Sequence, residues 1–279
     1  MDKEFQGIAH IEFMNREGCL VSDKVYNSGN SKVSSLIDLD HERLPCHFLI
    51  GMGGGLVEGE KYLLEIKVGR DARGIVSSQA PTYVYKCDNN LTTKQETNIN
   101  IEKNGVLEYI SDAVIPYKDS IYHQIVDINL DESSVLIYSD GITSGWSPDQ
   151  KKFQYKQVKI KTNVYMDNIL VCSDFILLNP VEADLTSIGY FEGFSNYGSM
   201  LIISPDVDKV FLEDLRKNVN QLKEDGIEWG ASLLEVPGLS VRVLGDSDQM
   251  VQKMIMLIAN FSRQRLLNSS HLSLRKNIY

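Results

Sequence analysis

Cysteine and histidine are scarce in this chain of 279 residues, and their placing excludes several chemistries. The four cysteines, Cys19, Cys46, Cys87 and Cys172, lie far apart, and no Cys-x-x-Cys pair occurs. A zinc ribbon or a thioredoxin-like redox motif is therefore absent. The five histidines, His10, His41, His47, His123 and His271, include no His-Glu-x-x-His, and no serine sits in Gly-x-Ser-x-Gly. Those are local marks of zinc proteases and of α/β-hydrolases. Cys46 adjoins His47, but neighbours on a strand point to opposite faces and form no dyad. Positive charge is also short, with 28 Lys+Arg against 38 Asp+Glu and a net charge of -10. Nucleic acid and anionic membrane surfaces bind clustered Lys and Arg, so neither is expected as a partner. No apolar run approaches the roughly 20 residues that span a bilayer. The start, Met1 to Phe5, lacks the basic and apolar regions of a secretory signal. These features predict a cytoplasmic protein with free thiols.

The most unusual stretch that is present runs from Gly51 to Glu60, with glycine at 51, 53, 54, 55 and 59. Glycine is placed where the backbone needs φ > 0 or passes close to another group. An apolar run, Phe48–Ile50, precedes it, and an alternating one, Tyr62–Val68, follows. The unit reads as strand, glycine loop, strand. A phosphate cradle would instead open a helix and carry Gly-Lys-Ser/Thr. A tight, bulged connection between strands is the plainer reading.

From Gly7 to about Ser204 the signals are strand-like, broken by Asn, Asp, Gly and Ser clusters. Strands are expected at Gly7–Met14, Cys19–Tyr26, Ser31–Leu36, Cys46–Ile50, Tyr62–Val68, Gly74–Ser78, Thr82–Lys86 and Thr93–Ile101. Others are expected at Gly105–Ile110, Ile121–Leu130, Ser134–Ser139, Phe153–Met166, Ile169–Leu178, Ile188–Phe194 and Ser199–Ile203. No fixed repeat period stands out, so pattern alone leaves sandwich, barrel and irregular β-helix open. Ser204-Pro205-Asp206 then starts a helix whose stripe is Val207, Phe211, Leu215, Val219 and Leu222. Gly226 stops it, and a strand pair follows at Gly230–Glu235 and Leu239–Leu244. A second helix starts at Asp246-Ser247-Asp248 and buries Met250, Met254, Leu257, Ile258 and Phe261, with Arg263 and Arg265 suiting its C-terminal dipole. The division is one domain over 1–279: a β-rich body 7–204, a helix-strand-strand-helix region 205–267, and a tail 268–279 that is either disordered or a docking segment. A composition of 43% hydrophobic and 24% charged residues supplies an ordinary core.

Dispersed polar residues near strand ends, His47, Glu58, Glu60, His123 and Asp140, are the weak metal-ligand candidates. Each is otherwise expected to be a solvated surface residue. A carboxylate-dependent sugar-active enzyme on a β-helical scaffold is the alternative, needing two acids roughly 5–9.5 Å apart. Only two tryptophans, Trp146 and Trp229, are available to line a sugar cleft. A purely structural β domain is the third reading.

Several segments occur in a telling order. Gly53, Gly54, Gly55, Gly59 and Glu60 belong to the first; Ser77 to Lys86, with Gln79 and Tyr85, is the second. Leu107 to Tyr117, opening Leu107-Glu108-Tyr109, is the third, and Asp140 to Gly145 the fourth. As a set they resemble the UreD family of urease accessory proteins, also called UreH. Three departures stand out: Glu60 where the family usually has Asp, Ser111 where it has Pro, and Trp146, Gln150 and Lys151 where it has Arg, Gly and Glu. The resemblance implies a mainly β, irregular solenoid-like fold of many short strands with two α-helices near the C-terminus. It implies a non-enzymatic chaperone and scaffold of metallocentre assembly. Such a protein binds apo-urease subunits and UreF, which recruits the GTPase UreG, and aids nickel insertion. No tightly bound cofactor is expected, only transient Ni²⁺, because a closed Cys/His cage would trap the ion. Glu60 and Asp140 are expected to line or flank the nickel path. Gly53, Gly54, Gly55, Gly59, Gln79, Tyr85, Glu108 and Tyr109 are expected at the loop or at partner contacts. The segment after Leu266 is expected to dock UreF and to order on binding.

Overall fold

Strands that alternate buried and more exposed positions make up most of one sheet of this fold, and strands buried along almost their whole length form the middle of the other. The computed structural model describes residues 4–37, 39 and 44–274. His41, Arg275 and Lys276 lie outside them. In chain order the first strands are β1 (Gly7–Arg16), β2 (Cys19–Gly29), β3 (Ser31–Val33), β4 (Cys46–Gly51), β5 (Lys61–Val68), β6 (Arg73–Ser78) and β7 (Thr82–Val84). Then come β8 (Thr93–Ile101), β9 (Val106–Ile110), β10 (Val114–Pro116), β11 (Ile121–Leu130), β12 (Val135–Thr143), β13 (Gln157–Met166), β14 (Ile169–Leu178) and β15 (Asn196–Ile203). Helix α1 (Lys209–Asn220), β16 (Ile227–Leu233), β17 (Gly238–Gly245) and α2 (Asp248–Leu267) complete the chain.

The chain winds into stacked coils of about 4 turns. The first sheet has the order β14-β13-β11-β8-β5-β1-β2; the second runs β16-β17-β15-β12-β9-β6-β4-β3. Short strands β7 and β10, with the bridges Leu56–Val84 and Tyr117–Trp146, make a third side. Parallel stacking sets Ile11, Ile66, Ile99, Ile128 and Val164 side by side across β1, β5, β8, β11 and β13. All five are buried inside the coil. These positions are unevenly spaced along the chain because the turns differ in length, which is why no repeat period stands out.

The middle strands of the second sheet, β9, β12 and β15, are buried on both faces. Leu107, Leu136, Tyr138 and Leu201 face the coil interior, while Ile75, Ile137, Met200 and Val241 pack beneath the two helices. Two covered faces leave almost no exposed position along a strand, as β12 shows.

The mainly β, coiled architecture with two late helices is the expected one, and several details differ. The Ile188–Phe194 segment is a run of turns, with positive φ at Gly189, Glu192 and Gly193, and Ile188 is 87% exposed. β10 was not foreseen, and β12 runs on to Thr143, so Asp140 lies within a strand. Helix α1 begins later than the Ser204-Pro205 signal. Its N-cap is Asp208, whose carboxylate accepts from Phe211 N at 2.8 Å. Leu222 falls beyond α1 and is exposed, while Val207, Phe211, Leu215 and Val219 are buried as expected. Helix α2 is capped by Ser247, but its buried face is turned toward Val251, Ile255 and Ala259 alongside Met254 and Ile258. Met250, Leu257 and Phe261 are only partly buried. After the left-handed cap at Asn268, the chain folds back on α2: Leu272 is buried and exchanges hydrogen bonds with the Asn260 side chain. Residues 268–274 thus pack back on their own chain, with Leu272 and Leu274 buried.

Candidate functional site

The glycine loop leaves β4, crosses the third side and enters β5. Gly54 adopts φ +71, a left-handed conformation that disfavours a side chain. At Gly55 a Cβ would lie 2.9 Å from the Tyr85 ring and 3.0 Å from Tyr83 O, so only glycine lets the backbone pass. The Tyr85 hydroxyl donates to Gly54 O at 3.1 Å. Glu60 closes the loop. Its Oε2 accepts from Val57 N at 2.8 Å and from the Tyr62 hydroxyl at 2.6 Å. Burial, together with that bond to Glu60, pushes the Tyr62 phenol up to about 12. Glu58 holds the neighbouring turn, accepting from Asn89 N, Asn89 Nδ2 and Leu91 N.

Beneath the loop lies a cavity of about 240 Å³, reaching from Gly53, Gly54 and Gly55 into the coil. Gln79, Tyr109 and Asp140 line it, so six of the expected site residues share one space. Asp140 is its buried acid. The Tyr138 hydroxyl donates to Asp140 Oδ2 at 3.1 Å, and the Ser199 hydroxyl donates to Oδ1. Burial raises the Asp140 carboxyl above its ordinary value, and the charge of Asp174 adds to this, against the lowering effect of Ser199, Tyr138 and Arg242. Gln95 and Gln124, neighbours across β8 and β11, bring amide groups to the same wall. The Tyr122 hydroxyl joins them, donating to Gln124 Oε1 at 2.9 Å. Asp112 also lines the cavity, and its Oδ2 and backbone N–H are both tied to the Ser78 hydroxyl. The oxygen-rich wall of Tyr138, Gln95 and Gln124 was not among the expected site residues. Tyr138 was within reach, because residues two apart on a strand share a face and Asp140 was already named.

Other expected residues lie elsewhere. Gly59 and Glu60 sit at the far end of the loop, and Glu60 is not among the cavity's lining residues. Glu108 points away from the cavity, though its neighbour Tyr109 lines it. It is 0% exposed and pairs with Arg73 Nη2 at 2.7 Å and with Arg263 of α2. Arg263 is also 0% exposed, so it is a buried partner of Glu108 and not a solvated end charge on α2. His47 is buried too, not a solvated surface residue. Its Nε2 meets Ser22 Oγ at 2.7 Å and its Nδ1 meets Ser34 O at 3.0 Å. Burial keeps the His47 imidazole below its ordinary value despite the Ser34 bond. His123 stands on the outer face of the first sheet beside Gln157. Among the described residues no three of His, Cys, Asp and Glu converge on a point that would hold a metal ion. No helix of the described residues is long and apolar enough to cross a membrane.

The family described as UreD urease accessory protein matches residues 6–277. The urease accessory protein UreD of Streptococcus salivarius (strain 57.I) is 43% identical over 277 residues, covering 99% of this chain and 99% of that one. Its namesake from Bacillus cereus (strain ATCC 10987 / NRS 248) is 32% identical over 273 residues, covering 97% and 98%. That from Ureaplasma urealyticum serovar 10 is 34% identical over 274 residues, covering 96% and 93%. The extent and the level of these matches agree with the ordered motifs and the coiled β-fold, and this chain belongs to the UreD urease accessory protein family.

Proposed function

We propose that this chain acts in urease maturation as a non-catalytic assembly protein in the cytoplasm. In this reading it binds apo-urease and UreF, through which the GTPase UreG is recruited, and helps nickel reach the urease active site. Family membership supports the maturation role, and the relatives are named accessory proteins rather than enzymes. The observation that carries the nickel part is the cavity with a single deeply buried acid, Asp140, among phenols and amides. Oxygen donors without thiolate or imidazole hold a borderline cation such as Ni²⁺ weakly. Weak ligation suits an ion that is passed on rather than kept. Burial makes the negative charge of Asp140 costly when no cation lies beside it, which favours its pairing with an arriving ion. Glu60 would act at the entrance through Tyr62, whose ring borders both the loop carboxylate and the cavity.

Sugar chemistry finds less support. It requires a second acid poised opposite Asp140, and Asp112 is held by Ser78 as a turn tie. The deciding experiment deletes the gene and measures urea hydrolysis at limiting nickel. Loss of activity, restored by the wild-type gene, is expected. Full hydrolysis in the deletion strain would overturn the proposal, and glycan turnover by the purified protein would replace it.

A further inference from the structure

The outer face of the first sheet carries a feature at odds with the acid excess of the chain. Register sets Lys61, Lys94, His123 and Lys159 side by side on β5, β8, β11 and β13. Adjacent strands lie about 4.8 Å apart, so this row spans roughly 14 Å. The next row outward holds Leu63, Glu96, Ile125 and Lys161, and Glu96 is its one acid. On β1, β2 and β5 of this face charges are matched: Glu12 takes both Lys24 and Lys67, and His10 meets Glu65. Lys61, Lys94, Lys159 and Lys161 make no ion pair among the described residues. Like charges directly opposite on neighbouring strands, as Lys61 and Lys94 are, are destabilising, and no ion pair among the described residues relieves them. His123 reports the local field. Its Nε2 donates to Gln157 Oε1 at 3.0 Å, yet burial, and then the Lys159 and Lys94 charges, hold the imidazole below its ordinary value.

The basic row ends in exposed apolar side chains. On β14, Leu177 stands opposite Lys159 and Phe175 opposite Lys161. Phe175 is 55% exposed, Ile125 44% and Leu177 40%. A purely ionic ligand would leave these uncovered, while an apolar strand alone would face unneutralised lysines. Exposed apolar side chains interleaved with uncompensated charge, as Ile125, Lys161 and Phe175 are across β11, β13 and β14, mark a contact site.

We infer that this face docks an acidic, amphipathic segment of a protein partner, its carboxylates on the Lys61–Lys94–His123–Lys159 row and its apolar side chains on Ile125, Phe175 and Leu177. A two-fold contact with a second copy would set these lysines against themselves, because such interfaces are self-complementary. A nucleic acid or an anionic membrane is an extended anion, and beyond this short row it would meet the acidic surface of a chain at -10 overall. The inference goes beyond the maturation reading. It stands on charge and exposure, and holds or fails whether or not nickel loading changes.

The test uses the full chain and a short amphipathic peptide of glutamate and leucine, followed by titration and by the His123 imidazole NMR signals. The comparison probes are the same peptide with lysine for glutamate, phosphatidylglycerol vesicles, and oligodeoxythymidylate. Binding of the glutamate peptide is expected, with the His123 imidazole titrating at higher pH in the complex. Affinity is expected to fall about tenfold or more in Lys94→Glu/Lys159→Glu, and to fall with added salt. Phe175→Ser, which leaves the charges in place, is expected to weaken binding without altering the salt slope. The neutral pair Lys94→Gln/Lys159→Gln gives an intermediate loss and guards against misfolding of the reversed variant. Failure of the glutamate peptide to bind overturns the inference. So does equal binding by the charge-reversed protein, equal binding of the lysine peptide, or tighter binding of vesicles or oligonucleotide.

Discussion

β11 on the first sheet alternates inward and outward side chains, whereas β12, next along the chain on the second sheet, buries all but its first residue. The two strands belong to one turn of one coil. What separates them is the outer neighbour. Water covers β11, so its outward positions are free to carry His123, Ile125 and Asp127. Helices α1 and α2 pack on one face of the second sheet and the coil interior lies against the other, so a buried charge there needs a partner. Glu108, His47 and Asp140 all lie on strands of this second sheet, and each is held by named hydrogen bonds or ion pairs. Glu65 on the first sheet is a half-exposed surface charge, whereas Glu108 on the second is part of the core.

Glu108→Ala breaks this comparison most directly. It strands Arg263 and Arg73 without their shared carboxylate, and removing one partner of a buried pair costs about 3–5 kcal/mol. Chemical denaturation should show a loss of that size, and a loss below about 1 kcal/mol would mean the pair is solvated.

The second effect depends on pH. The His47 imidazole is held below its ordinary value in the fold, so the folded state binds fewer protons than the unfolded one as pH falls. Its contribution to stability is full above about pH 6.5. It is lost as pH falls toward and through the lowered folded value. Thermal melts across that range should lose part of their pH slope in His47→Gln, and an unchanged slope would place the acid sensitivity elsewhere.

The smallest effect belongs to the first sheet. Glu65→Ala removes an exposed partner of His10 and should cost about 0–1 kcal/mol, with little left at high salt. A loss as large as that of Glu108→Ala would erase the distinction between the sheets.

The same contrast explains what could be read without coordinates. Thr93–Ile101, Ile121–Leu130 and Ile169–Leu178 have the same bounds in the sequence reading and in the structure. Two of these, β8 and β11, carry one face inward and one outward, which alternation records. In the middle of the second sheet alternation fails, and the expected strand Ser134–Ser139 stops before Asp140 while β12 runs on to Thr143. Ile188–Phe194 misled for the opposite reason, since its apolar residues lie in exposed turns and not in a strand. Arg263 was read from its place near a helix end. Its true partner, Glu108, lies 155 residues away, a separation that local pattern does not bridge. The cavity was half legible: glycines, Gln79, Tyr109 and Asp140 were named, but nothing local ties Gln95 to Gln124 until the turns stack.

Asp140 is the group that joins fold to proposed function, and its substitution by asparagine is the most direct test. Asp140→Asn keeps the shape of the uncharged acid and its hydrogen-bonding oxygen while removing the site for a cation. In cells grown at limiting nickel, urease activity should fall severalfold with this variant, while urease subunits and UreF still co-purify with it and excess nickel restores part of the activity. Wild-type activation by Asp140→Asn at limiting nickel would contradict the account.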